Sequence, residues 1–422
     1  MLCVMTAGTA FAQNKAAAGK KITMWTFVDL HAKFYDSMLK QWNRDHPDKQ
    51  LNITFTNMPY GEMHNKVTMA VQTGKGMPDL ADIEISAFPN YLRGNIAFLE
   101  LNKYIDPYRQ DIVKSRIDIY SRDGKNYGFP THVGAMVMYY NTELLDKAGV
   151  DYTKIVTWDD FTAAARTYKA KTGKAITSVD TGGHDWLSLS MSEHGEDWVN
   201  AQGVANVQIE SIRKMLKMQQ DWVKEGLAIT SPGGHIDQEQ GFKNLVSGQV
   251  VAFPKALWFM SRFINYMPEM KGKWAIAPCP VFVKGQPRSV GVGGTGTVVS
   301  AKSANAALAA EFMAWAKLSL TGNVEIWKQL GFDPCNTNVW SDAKITKDPS
   351  NKFVAYFKTN PFDVLNQIKS EIGFIRSTTM SPVIYEQINI NVLVDVLQDG
   401  GNIEGSLKAA QQQINLEQQR KK

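Results

Sequence analysis

Three short apolar runs, Lys21-Ile-Thr-Met-Trp-Thr-Phe27, Leu51-Asn-Ile-Thr-Phe55 and Leu80-Ala-Asp-Ile-Glu-Ile85, decide the fold through what separates them. Between the first two, Phe34, Met38 and Trp42 recur four residues apart and Pro47 follows. Between the second and third, Met63, Val67, Ala70 and Val71 form another stripe, closed by Gly74-Lys-Gly76. Helical spacing puts each stripe on one face, whereas Leu51, Ile53 and Phe55 alternate as in a half-buried strand. Strand, helix, strand, helix, strand at this spacing predicts βαβ units and a parallel sheet with helices on both faces.

Further along, the apolar stretch from Val133 to Tyr140 follows Gly128-Phe-Pro130. A helical pattern starts at Glu143, and Thr157-Trp-Asp-Asp160 reads as the capped start of another helix. One long amphipathic helix is expected from Val207 to Leu227. Trp274 to Pro280 and Thr295 to Ser300 resume strand character. Ala306 to Leu318 and Val324 to Leu330 return as helices, and the chain beyond Asn351 reads as mostly helical. A second α/β unit therefore occupies the middle of the chain, and no short internal repeat is present.

A chain of 422 residues exceeds what one simple core serves, which points to two lobes. With 44% hydrophobic and 21% charged residues the composition is that of a soluble globular protein. The net charge of +5 is spread thinly and gathers only at Arg420-Lys421-Lys422, which argues against a nucleic-acid partner. Residues 1–12 differ from the rest: Met1 to Met5 leads through Ala7-Gly-Thr9 to Ala10-Phe-Ala12, the end of an apolar leader with a small-x-small cleavage site before Gln13. The basic start of such a leader is missing, and a buried N-terminal helix is the competing reading. The export signal is favoured, and it places the protein in the periplasm or another extracytoplasmic space. Cys3 lies inside the apolar stretch, which weakens a lipid anchor without removing it. Loss of the leader leaves Cys279 and Cys335, an even pair in a compartment that permits disulfides.

Several chemistries lack support. Gly291-Val-Gly-Gly-Thr-Gly296 matches the dinucleotide fingerprint literally, yet a strand-like run follows it where a helix is required. A glycine-lined loop that lets other groups approach its backbone is the better reading. The histidines form no metal motif, no nucleophile elbow is present, and Asp159-Asp160 favours a helix start without catalysis. No cofactor or metal is expected.

Aromatic residues carry the most information. Trp42, Trp222, Trp315 and Trp327 fall in helical stretches and are read as packing, whereas Trp25, Trp186 and Trp258 fall at strand ends or in polar loops. In α/β sheets such places border ligand crevices. Aromatic faces cover the C–H side of a sugar ring while carboxylates and imidazoles pair with its hydroxyls. For each ring, core packing is an equal alternative.

These pieces have a familiar order. Ile22-Thr-Met-Trp25, Met58-Pro-Tyr60, Met77-Pro-Asp79-Leu-Ala-Asp-Ile83, Asp123-Gly-Lys-Asn-Tyr127-Gly-Phe-Pro130 and Tyr140-Asn-Thr-Glu-Leu-Leu are followed by Thr157-Trp-Asp-Asp-Phe161, Phe242-Lys-Asn-Leu-Val-Ser-Gly248, Leu257-Trp258, Ala277-Pro-Cys-Pro280 and Gly331-Phe-Asp-Pro334. Along nearly the whole mature chain this resembles the extracellular solute-binding proteins of sugar ABC importers, and most narrowly the arabinose or arabino-oligosaccharide receptors. Gly248-Gln-Val-Val-Ala252 departs from the Lys-Ala-Ala-Met run of many relatives. The resemblance implies a two-lobed periplasmic-binding-protein fold, each lobe a mainly parallel sheet flanked by helices. Residues 21–130 and 281–332 would form the N-terminal lobe, 131–280 and 333–422 the C-terminal lobe.

It also implies a non-enzymatic, monomeric receptor whose partners are a mono- or oligosaccharide and membrane permease subunits. Carried over by position, the ligand would meet Trp25 and Tyr60, then Glu84, Ser86 and Phe88 after the third strand, and His132 at the hinge. Asp185, Trp186 and Trp258 would face it from the second lobe, Gly293 and Gly294 through backbone amides, and Arg376 from the C-terminal segment. The alternatives are a carbohydrate-active hydrolase, whose retaining form needs carboxyls ~5 Å apart, or a receptor for a non-sugar solute. Both remaining cysteines sit at hinge crossings, so either they pair as a disulfide or they are two buried apolar groups that never meet.

Overall fold

The computed structural model describes residues 19–420, so the leader read at residues 1–12, with Cys3, lies outside the described residues. The opening stretch forms β1 (Lys20–Thr26), α1 (Asp29–Asp45), β2 (Leu51–Asn57), α2 (Tyr60–Thr73) and β3 (Leu80–Glu84), the order expected from its periodicity. Along β1 the side chains of Ile22, Met24 and Thr26 are buried, and α1 buries Phe34, Tyr35, Met38, Leu39 and Trp42. β1 pairs in parallel with both β2 and β3. Strand Thr295–Val299 returns from the far end of the chain to run antiparallel beside β3, and the short Phe129–Pro130 closes the sheet's other edge.

The second lobe is built on Met136–Asn141, flanked by Ala252–Ala256 and Trp274–Ala277. Here the expectation of mainly parallel pairing is corrected, because both pairings are antiparallel. Met136–Asn141 carries the chain into the lobe and Trp274–Ala277 carries it back, so as neighbours they run in opposite senses. Parallel pairing survives in two short pairs, Thr177–Val179 with Ala228–Thr230 and Ser289–Gly291 with Ile372–Phe374. Every residue of Met136–Asn141 is buried, Met136, Met138 and Tyr140 in one core and Val137 and Tyr139 in another.

Helix Trp158–Thr172 opens with a capping box: the Thr157 hydroxyl accepts from the Asp160 amide (3.1 Å), and the Asp160 carboxylate accepts from the Thr157 amide (2.8 Å). The long helix expected over 207–227 is shorter, Glu210–Lys224. Val207 spends its amide on the Gln411 side chain (2.8 Å), outside the helix. Beyond Asn351 the chain is less helical than expected, with turns before Pro361 and a strand at Ile372–Phe374. Within residues 281–291, expected with the first lobe, Val281 exchanges hydrogen bonds with Trp158 and Val156, and Ser289–Gly291 pairs with Ile372–Phe374.

Crossings between the lobes lie side by side. His132 bridges to Pro334 and Ala135 to Gly291. The Asp333 carboxylate accepts from the amides of Gly134 (3.1 Å) and Ala135 (2.7 Å). Buried Arg116 donates from Nε to the His132 carbonyl (3.1 Å) and from Nη2 to that of Gly293 (2.6 Å), clamping two crossings together. The disulfide reading is corrected, since Cys279 and Cys335 are free thiols. The crossings adjoin, but Cys279 packs into one hydrophobic core, with Met136, Met138 and Tyr140, and Cys335 into a separate one, with Val137 and Tyr139. Burial pushes the Cys279 thiol well up and the Cys335 thiol to about 12. Among the described residues no helix is long and apolar enough to cross a membrane.

Candidate functional site

Beyond the carboxyl end of β1 a cavity of 640 Å³ opens, lined from the first lobe by Phe27, Val28, His31, Tyr60, Glu84, Thr295 and Phe332. Across it stand His235, Asp237, Gln238, Lys255, Trp258 and Arg262, with His132, Gly293 and Gly294 of the hinge at its back. A crevice at strand ends and between two lobes is where α/β folds place ligands. A larger groove of 980 Å³ lies within the second lobe alone, and its charges are spent on one another, as in Arg166–Glu225 and Lys217–Asp221.

The first-lobe wall is set by a buried polar network. Asp82 accepts through Oδ1 from the hydroxyls of Tyr35 (2.9 Å) and Thr297 (2.6 Å), and through Oδ2 from Thr26 (3.0 Å). Oδ2 also holds His31 Nδ1 at 3.1 Å, which fixes the ring on the cavity wall. Burial works against the Asp82 carboxylate, yet His31, Lys317 and Thr297 outweigh it and hold its pKa at about 2. Glu84, at the end of β3, accepts from the Ser86 amide (2.8 Å) and hydroxyl and from the Tyr60 hydroxyl (3.3 Å). Burial raises its pKa in spite of these bonds.

The second-lobe wall is fixed by ion pairs. Lys255 reaches Asp185 (2.7 Å) and Asp180 (3.3 Å); burial opposes its charge, but the two carboxylates prevail and raise its pKa. Arg262 grips Asp237 through two bonds of 2.8 and 3.0 Å. Trp258 lies among these cations, with Arg262 Cζ 5.5 Å and Lys255 Nζ 5.9 Å from its ring centre. Its Nε1 donates to the Val292 carbonyl at 3.3 Å. Gly293 (φ 69°) passes so close that a Cβ there would meet Trp258 Nε1 at 3.0 Å, and one on Gly294 (φ 117°) would meet Arg116 at 2.6 Å. At the back, neither ring nitrogen of buried His132 has a hydrogen-bond partner, and burial beside Arg116 drives its pKa well below the ordinary value. A neutral imidazole with two unused nitrogens suits a ligand hydroxyl.

The site residues expected from the sequence divide accordingly. Tyr60, Glu84, His132, Trp258, Gly293 and Gly294 come together on the cavity. Ser86 and Asp185 stand one layer behind, holding Glu84 and Lys255. Four expectations are corrected. Trp25 packs against the core beneath α2, and Phe27, just past the end of β1, is the aromatic that reaches the crevice. Phe88 is fully buried beside Phe98 and Tyr120. Trp186 is buried against Trp158 and Trp222, facing inward from helix Asp185–His194. Exposed Arg376 spends its amide on Asp197 and its guanidinium on the Val199 carbonyl, away from the cavity.

Sequence reasoning missed Phe27, His31, His235, Asp237, Lys255 and Arg262. Lys255 alone carried a signal: it is the lysine inside the apolar run Ala252–Ala256, and a buried lysine needs partners. Among the described residues no cluster of side chains has the makings of a metal site.

Residues 28–318 match the model of the bacterial extracellular solute-binding protein family. An arabinooligosaccharide-binding protein of Halalkalibacterium halodurans is 36% identical over 94% of this chain and 90% of its own length. Another of that name, from Bacillus subtilis, is 36% identical over 94% of this chain and 92% of its own. Among solved structures, an ABC transporter-associated binding protein from B. animalis subsp. lactis, in complex with β-1,6-galactobiose, superposes with a TM-score of 0.77. It is 20% identical, over 94% of this chain and 96% of that one, so it speaks for the two-lobed fold. The chain belongs to the bacterial extracellular solute-binding protein family.

Proposed function

We propose that the protein is the extracytoplasmic receptor of a sugar ABC importer, closing its lobes on an oligosaccharide of the arabino-oligosaccharide class and passing it unchanged to the permease. The observation that carries this reading is the cavity between the lobes, where aromatic faces stand beside hydrogen-bonding groups and the lysine and arginine are already paired. Lys255 is paired with Asp180 and Asp185 and Arg262 with Asp237, so both cations of the wall are spent and what it offers a polyhydroxyl ligand is directed hydrogen bonding. The names of the two relatives at 36% identity favour arabino-oligosaccharides among such ligands.

In this reading Tyr60, Glu84, His132 and Trp258 touch the sugar, joined by Phe27 and His31. Residues 21–130 and 292–332 move as one lobe and 131–291 and 333–420 as the other. The protein acts as a monomer released by cleavage before Gln13, and it leaves glycosidic bonds intact. Titration calorimetry against arabino-, galacto- and malto-oligosaccharides, amino acids and polyamines tests the proposal. Binding confined to a sugar, with no new reducing ends after prolonged incubation, is expected. Saturable binding of a polyamine or amino acid instead would overturn it.

A further inference from the structure

The cavity between the lobes does not end at its own wall. A second chamber of 470 Å³ adjoins it and shares four lining residues with it, Phe27, Val28, Asp237 and Arg262. Both lobes wall this outer chamber: Leu30 and Lys33 from α1 on one side, Asn265 and Tyr266 from helix Met260–Tyr266 on the other. The Arg262–Asp237 ion pair thus forms a sill between two compartments of one groove, and its polar edges line both.

Tyr266 is out of place for packing. It is 60% exposed, yet its ring lies flat on Phe242, with centroids 4.9 Å apart and planes at 10°. Phe242 in turn meets the edge of buried Phe259, with centroids 6.1 Å apart and planes at 60°, so the outermost ring rests on a stack anchored in the core. An aromatic face held rigidly at the rim, with an arginine–aspartate pair and an asparagine beside it, repeats the chemistry of the inner cavity around Trp258.

We propose that the outer chamber is an extension subsite: a linear oligosaccharide whose first units fill the inner cavity runs over the Arg262–Asp237 sill and lays a further unit on Tyr266. This rests on the sugar-receptor reading and adds a direction and a minimum length, since a disaccharide seats in the inner chamber alone. Affinity therefore grows with chain length until the outer chamber is filled.

The test is calorimetry of the full-length protein with a ladder of arabino-oligosaccharides from the disaccharide to the hexasaccharide, repeated with Tyr266→Ala and Tyr266→Phe. The wild type should gain affinity along the ladder. Tyr266→Ala should lose about tenfold for the longest members, equivalent to ~1.4 kcal/mol, and less than about twofold for the disaccharide, while Tyr266→Phe keeps the ring and the affinity. Wild-type affinity that is flat along the ladder overturns the subsite, as does a Tyr266→Ala variant indistinguishable from wild type on every member. An equal loss on the disaccharide and the hexasaccharide also overturns it, because Tyr266 then serves the inner cavity or the fold. In these three outcomes the sugar reading stands. If the wild type binds no member, that reading falls and the extension with it.

Discussion

Trp258, Trp186 and Phe88 show how one residue type serves two ends. All three sit near strand ends or loops in the sequence, but only Trp258 is left partly exposed, wedged between cations on the cavity wall. Replacing it with alanine should cost ~2–4 kcal/mol of binding free energy with little change in the unfolding midpoint, as calorimetry and denaturation together would read. Trp186→Ala should do the reverse: its ring is buried against two other tryptophans, so the loss falls on stability, ~3–5 kcal/mol in a denaturant titration. The sequence marked the aromatic class as informative but could not sort its members. Sorting depends on where a side chain ends up, as Trp25 inside β1 and Phe27 just past its end demonstrate. Asp237 and Arg262 gave no signal at all, because their pairing joins positions with no periodic relation.

Elements were more legible than residues, since periodicity and caps are local. α1, α2 and the strands around them follow from spacing alone, and the Thr157 cap was readable because its partner Asp160 lies three residues on. Thr157→Ala should cost ~1 kcal/mol, measurable as a lower midpoint in urea. The antiparallel sheet of the second lobe was not legible, because pairing sense depends on where the chain re-enters after more than a hundred residues. Packing between elements also sets a pH response. Glu193, on helix Asp185–His194, accepts from Trp158 Nε1 (3.0 Å) and the Phe282 amide (3.1 Å), yet burial pushes its pKa from 4.5 to about 8. Between those values the folded protein holds a proton that the unfolded chain has released, so stability falls as pH rises across that range. Asp333, raised by burial to about 7, adds a contribution of the same sign. Asp82, held at about 2, acts oppositely, its contribution being lost as pH falls from 3.8 toward that value. Glu193→Gln should therefore flatten the decline in melting temperature between about pH 5 and pH 8, and an unchanged slope would assign the decline elsewhere.

The candidate site is lined from both lobes, so the proposed closure would couple occupancy to shape. Bound sugar at about a hundred times its dissociation constant should stabilise the protein by ~2.7 kcal/mol, and small-angle scattering should show a smaller radius of gyration. Equal radii with and without a stabilising oligosaccharide would rule out lobe closure. The two-lobed plan was legible because the motifs follow one another in a recognisable order along the chain, whereas the pairing of Ser289–Gly291 was not, since its partner is the distant strand Ile372–Phe374. The two cysteines bear on how this motion can be watched. Each thiol is sealed in a core and burial keeps it protonated, so neither offers the thiolate that maleimide dyes attack. A cysteine introduced on the exposed surface of each lobe would then be labelled in preference to Cys279 and Cys335, which makes the unaltered core a ready chassis for a fluorescent sensor of the bound ligand.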